Sequence, residues 1–221
     1  MYQEWKRLHR GGIKPFQESV VPLHQRTRCF RVYCSSVVPG LLQTHPYATA
    51  LLSAISTIQG TPNNAADAAT ARPDRSRVIY EGDHRFVLLA EEAVLRYCIG
   101  DTAVMAGQLG KLLELMSLPS VAFGIIPLTA ERTIWPLETF RVFDTERVLV
   151  ETPSAEIAIC RPSEIAVYAK AFGRLKELAV SGAPARALIR GGYVFRQERD
   201  AVYGAVWGGY AARVTVGVLD S

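Results

Sequence analysis

The chain has 221 residues, 49% of them hydrophobic, and carries a formal charge of +4 with a pI near 8.9. That is enough for one sizeable core. No stretch reaches the roughly 20 apolar residues of a membrane helix, and the basic start MYQEWKRLHRGG leads into no apolar signal core, so the expectation is a cytoplasmic protein with no membrane partner. Cys29, Cys34, Cys98 and Cys160 lie in apolar runs without CxxC spacing, which predicts free thiols, no structural zinc and no metal site.

The positive charge is concentrated at the start: residues 1–31 hold Lys6, Arg7, Arg10, Lys14, Arg26, Arg28 and Arg31 against Glu4 and Glu18. Such a segment meets phosphates or an acidic partner, or is a solvated linker face. Gly11-Gly12 ends a flexible opening. PFQESVVPLHQR then predicts a short docking helix from Pro15 to Arg26, with Phe16, Val20 and Leu23 on one side. CFRVYCSSVV reads as a strand bounded by Pro39-Gly40. Thr44 is placed to cap a helix with Pro46 in its first turn, lined inside by Tyr47, Leu51 and Ile55 and stopping before Gly60.

Asn63 or Asn64 caps an Ala-rich helix starting near Ala65, which Pro73 breaks near Arg72. RFVLLA is a buried strand, and Glu91 to Tyr97 a short helix. Asp101 or Thr102 opens the most regular helix, where Met105, Leu109, Leu112, Leu113 and Met116 recur at helical spacing as core. VAFGII, ETFRVFD and RVLVE are strands, the last two a hairpin turning around Thr145. After AEIAIC, Arg161-Pro162-Ser163-Glu164 opens an amphipathic helix with Ile165, Tyr168, Phe172 and Leu175 inside, and a final helix starts at Pro184. Elements cluster without regular strand–helix alternation, which predicts an α+β fold with a mainly antiparallel sheet packed by amphipathic helices.

The segments WKRLHRGGIKPFQESVVPLHQRTRCFRVY, VVPGLLQTHPYA, LAEEAVLRYCIGD, MAGQLGKLLELMSLP and YAKAFGRLKELAVSG carry a family likeness from about Trp5 to Ile189. With PGLLQT followed by YA, then E-x-x-L-R and a downstream Q-L, the chain resembles the large actinobacterial domain of unknown function that follows an Xre-type helix-turn-helix in WhiJ-like regulators. The resemblance implies a regulatory or sensing domain connected with development and secondary metabolism. It divides the chain into a basic helical lead (1–26), an effector domain (27–190) and an extension (191–221). The family carries its DNA-binding helices ahead of the tryptophan-containing segment, and here four residues precede Trp5. The expectation is therefore no sequence-specific DNA binding by this chain alone.

The candidate site residues are Arg28, Tyr33, Glu91, Arg96, Gln108, Trp135 and Glu151, for a ligand pocket and not for a known chemistry. Each has a plainer reading. The Pro39-Gly40 turn presents a helix N-terminus suited to an anion, or Gln43 and Thr44 simply satisfy local backbone groups. Arg28 and Arg31 are an odd number apart, so on a strand at most one enters a pocket. Glu92 and Arg96 have i,i+4 spacing, and Glu91 lies where a buried strand enters a helix. Trp135 covers a pocket or seals the core, and Glu151 is a catalytic carboxylate or a solvated strand end. His9, His24, His45 and His84 show no metal or nucleophile spacing. Two functions stay open. One is a non-enzymatic sensor that binds an unknown small molecule or regulatory protein, in a chain able to pair with its own kind; the other is a small-molecule biosynthetic enzyme or cyclase using the same pocket, without a cofactor motif.

Overall fold

Period-two alternation along the strands sorts side chains onto two faces of one sheet, and each face is closed by helices. The computed structural model describes residues 1–9, 19–60, 65–70 and 76–193. In chain order these form β1 (Tyr2–Glu4), α1 (Trp5–Leu8), α2 (Val21–Arg26), β2 (Cys29–Cys34), α3 (His45–Gln59), α4 (Ala65–Thr70), β3 (Arg85–Glu91) and α5 (Thr102–Leu115). There follow β4 (Val121–Ile126), β5 (Phe140–Phe143), β6 (Arg147–Glu151), β7 (Ala155–Ile159), α6 (Pro162–Leu178) and a last helix, α7, over 182–193.

The seven strands run in the order β1-β7-β6-β5-β2-β3-β4. The α+β character is as expected, but the sheet is mixed: β2, β3 and β4 are parallel neighbours, while β5, β6, β7 and β1 pair antiparallel. Chain length between strands decides this. Parallel neighbours need a long crossover, supplied by α3 and α4 between β2 and β3 and by α5 between β3 and β4. The turns joining β5, β6 and β7 are too short for anything but antiparallel pairing.

Phe30, Val32 and Cys34 of β2, with Phe86, Leu88 and Ala90 of β3, face α2, α3, α5 and α7 through Leu23, Tyr47, Met105, Leu109, Ala185 and Ile189. The intervening Tyr33, Leu89, Phe140 and Val142 face α6 through Ile165, Phe172 and Leu175. Caps end the helices where the sequence places them. The Thr44 hydroxyl accepts the Tyr47 N–H and Gly60 closes α3 at φ 63°, while the Asp101 carboxylate accepts the Val104 N–H at the start of α5.

Two expectations change, and a third falls partly outside the described residues. The opening residues, expected as a flexible lead, include an edge strand: Tyr2–Glu4 pair with β7, and Trp5 donates from its backbone to Ser154 O at 3.0 Å. The expected helix from Glu91 to Tyr97 is a 3-10 turn, Glu92–Leu95, with Glu91 still in β3. Of the docking helix, Val21–Arg26 is helical, whereas residues 10–18, the proposed caps Asn63 and Asn64, the break near Arg72 and most of the extension lie outside the described residues. Within the described residues, no helix is long and apolar enough to cross a membrane.

Candidate functional site

The seven residues singled out by sequence fall into separate environments: Tyr33, Glu91 and Glu151 lie on strands, Gln108 on α5, and Arg28, Arg96 and Trp135 on connecting segments. Tyr33 and Glu91 meet on the α6 face. The Tyr33 hydroxyl donates to Glu91 Oε1 at 2.8 Å, and Arg132 grips the same carboxylate with both terminal nitrogens, one of them at 3.1 Å from Oε1. The hydroxyl also accepts the Leu137 N–H at 3.3 Å. Burial first, then the Glu91 carboxylate, holds the Tyr33 hydroxyl well above the ordinary phenol range. Next door, Glu92 accepts Arg96 Nη2 at 2.5 Å and the Leu128 N–H at 3.0 Å. Burial alone would raise the Glu92 carboxyl, but the bonds from Arg96 and Leu128 outweigh it and leave it below its usual range. These two adjacent glutamates therefore anchor the loop between β4 and β5.

Gln108 is fully buried and bridges elements: its amide donates to Leu42 O at 2.8 Å and accepts the Thr44 N–H at 2.7 Å. Gln43 donates to Val38 O at 2.6 Å, so the PGLLQT turn is held by local backbone bonds. Trp135 is 71% exposed and does not seal the core, because its loop is pinned by Arg132 and Leu137 on either side. Arg28 is exposed and its backbone N–H meets Asp144 Oδ2 at 3.1 Å, while the Arg31 guanidinium bonds to Asp144 O. Asp144 also takes the Cys29 N–H at 2.7 Å and sits at φ 48° in the β5–β6 turn.

Glu151 opens onto a substantial cleft, on the opposite face. The cleft encloses about 430 Å³ where the end of β2, the start of β5 and the end of β6 come together. Its floor is Val32, Cys34, Arg141 and Glu151; the loop after β2 adds Ser35, Val37 and Val38; α3 adds Leu51 and Ile55; Glu138 and Thr139 form the far rim. Register brings the charges together. Glu151 and Glu156 are opposite one another across β6 and β7, and Arg141 Nη2 reaches the first at 2.5 Å and the second at 3.2 Å. Burial, reinforced by the Glu151 charge, pushes the Cys34 thiol up to about 12, so it is a protonated part of the floor.

Residues next to the cleft lining also hold the N-terminal segment. Trp5 Nε1 donates to Thr152 O at 2.7 Å, one residue beyond Glu151, and the His9 ring meets Gln59 Oε1 at 3.0 Å, at the end of α3. Trp5 and His9 stack with ring centroids 5.1 Å apart. Burial holds the His9 imidazole below its ordinary range, against the opposing pull of Gln59 and Glu151.

Sequence reasoning missed Arg132, Arg141, Glu138 and Glu156. Alternation in TFRVF does place Arg141 opposite Phe140 and Val142, but only the strand order sets it between two carboxylates. No group of three or more His, Cys, Asp or Glu among the described residues has the arrangement to hold a metal ion.

Fold and cleft together define an α+β domain, one mixed sheet between two helical layers with a polar-floored cleft at one end. The chain belongs to the family described as a domain of unknown function (DUF5753), whose model matches residues 17–191. The comparison with curated proteins gave no match.

Proposed function

We propose that this chain is a ligand-sensing effector domain of the kind associated with Xre-type transcriptional regulators, binding a small molecule in the cleft floored by Arg141 and Glu151. The observation that carries the reading is that the cleft and the N-terminal segment share their supports. Leu51 and Ile55 line the cleft from α3, and Gln59 at the end of α3 holds His9; Glu151 lines it from β6, and the neighbouring Thr152 holds Trp5. A ligand that shifts α3 against β6 by a fraction of an ångström alters both contacts of α1 together. The volume falls within the roughly 300–1,000 Å³ of small-molecule sites, and the buried, protonated Cys34 offers no nucleophile. The link to Xre-type regulators and to actinobacterial secondary metabolism rests on the sequence resemblance, in which the DNA-binding unit lies ahead of the Trp5 segment.

Native mass spectrometry after incubation with small-molecule extract, joined to amide exchange on the same sample, tests the reading. The expected result is a retained molecule of unchanged mass, with slowed exchange in α3 and altered exchange in residues 2–8. Conversion of a molecule by the purified protein, lost on cleft substitutions, would replace the sensor with an enzyme. Retention without any change in residues 2–8 would leave a binding protein and remove the transmission step.

A further inference from the structure

We infer that the cleft takes an organic cation, a protonated amine, amidine or guanidine carried on an apolar body. The inference rests on reading the cleft as a ligand site and adds the chemical class. Among the described residues its lining sets two carboxylates, Glu138 and Glu151, against the guanidinium of Arg141, which also reaches the buried Glu156 behind the floor. Arg141 reaches Glu151 and Glu156 through Nη2 alone, its Nε is without a hydrogen-bond partner, and its side chain is 15% exposed; the two carboxylates more than balance its charge, so an anion meets no net positive field here. Glu151 is 41% exposed on the cleft side and Glu138 is exposed at the rim. A cleft with low-dielectric walls concentrates that surplus negative field.

The opposite wall decides between an organic and an inorganic cation. Leu51 and Ile55 of α3, with Val37 and Val38, face the charged floor across the cleft. A hydrated metal ion would leave this apolar wall wet, whereas an apolar body covers it while an N–H donor at one end meets Glu138 and Glu151. A neutral hydrocarbon would fit the wall and strip water from the carboxylates without replacing it, which is unfavourable.

Three probes of similar shape separate the classes: 4-phenylbutylamine, 4-phenyl-1-butanol and 4-phenylbutanoate, titrated into the full chain by protein-observed NMR. The amine is expected to bind about ten-fold more tightly than the alcohol, with the carboxylate weakest, and its advantage to shrink with added salt. Glu138→Gln, at an exposed rim position that the fold does not depend on, is expected to reduce the amine's affinity about two- to five-fold and leave the alcohol unchanged. Ile55→Trp, which fills the cleft, is expected to abolish amine binding.

Equal or tighter binding of the alcohol or carboxylate overturns the cation class, as does amine binding indifferent to both substitutions. If none of the three binds, the inference also falls. The sensor reading is decided separately by the extract experiment, where a retained anion or neutral molecule would sustain it without this ligand class.

Discussion

Arg141 stands between two carboxylates that the register of β6 and β7 places opposite one another. Like charges at directly paired positions destabilise a sheet, so the guanidinium is what permits Glu151 and Glu156 to coexist. Glu156 is the more deeply buried of the two, at 8% side-chain exposure, while Glu151 remains partly solvated. Arg141→Gln should therefore lower stability by about 2–3 kcal/mol, below the usual loss for a fully buried pair. Adding Glu156→Gln should recover at least about 1 kcal/mol, measured by urea denaturation in a double-mutant cycle. Strict additivity would show that the pair does not interact. Glu151 was legible as a strand-end carboxylate, but its partners were not, since nothing local in RVLVE or AEIAI announces that the two strands are neighbours in this register. Tyr33 and Glu91 were both legible as polar groups in buried runs. The second partner of Glu91, Arg132, comes from a loop without periodicity.

At the same scale, Cys34 separates the accessible thiols from the structural one. Its thiol is pushed up to about 12 by burial and the nearby Glu151 charge, and the thiolate is the reactive form. Cys98 and Cys160 are exposed. Iodoacetamide at pH 8 should modify those two in the native protein and reach Cys34 only on unfolding, as peptide mass mapping would show. Native labelling of Cys34 at a rate comparable to Cys98 would contradict the buried floor.

Among the elements, those with both a periodic face and a terminal signal were the most legible. Thr44, Gly60 and Asp101 each supply a local hydrogen bond or a positive φ that acts within one turn, so neighbouring residues suffice to find α3 and α5. The strand β1 has no such local cause. Three residues, YQE, become a strand because β7 offers an open edge more than 150 positions away, and α1 is then held by Trp5 and His9. That attachment should depend on pH. Burial depresses the folded-state pKa of His9 from 6.5, so the native state binds fewer protons than the unfolded state in the window below 6.5. The stability contributed by a neutral His9 is full above about pH 6.5 and is lost as pH falls through the depressed value. Amide exchange in residues 5–9, corrected for the intrinsic rate, should accelerate as pH falls below 6.5. His9→Gln, which keeps a neutral partner for Gln59, should remove this acceleration; an unchanged pH profile in that variant would assign it to another group.

For the whole molecule, the mixed sheet explains both what the sequence concealed and where the cleft lies. Hydrophobic runs such as RFVLLA and VAFGII are buried on both faces, as parallel strands are, yet each run by itself is equally compatible with an antiparallel core strand. Only the helices between them, read as crossovers, select the parallel arrangement. At β2 the sheet changes from parallel to antiparallel pairing, and the chain leaves its carboxyl end toward α3 while β5 begins alongside. Divergence of chain at such a switch point leaves a crevice outside the strand ends, the general reason ligands favour these positions in open α/β sheets. Because β1 closes the same sheet that carries the cleft, residues 2–8 belong to the cooperative unit and are not an appended lead. With Trp135 and Trp207 replaced by Phe, Trp5 becomes the sole indole and reports on that segment. At pH 7.5 its emission should shift to the red in the same thermal transition that abolishes the far-UV circular dichroism, as a two-state domain requires. An earlier fluorescence transition would detach α1 from the unit and remove the transmission step proposed from the cleft to the N-terminal segment.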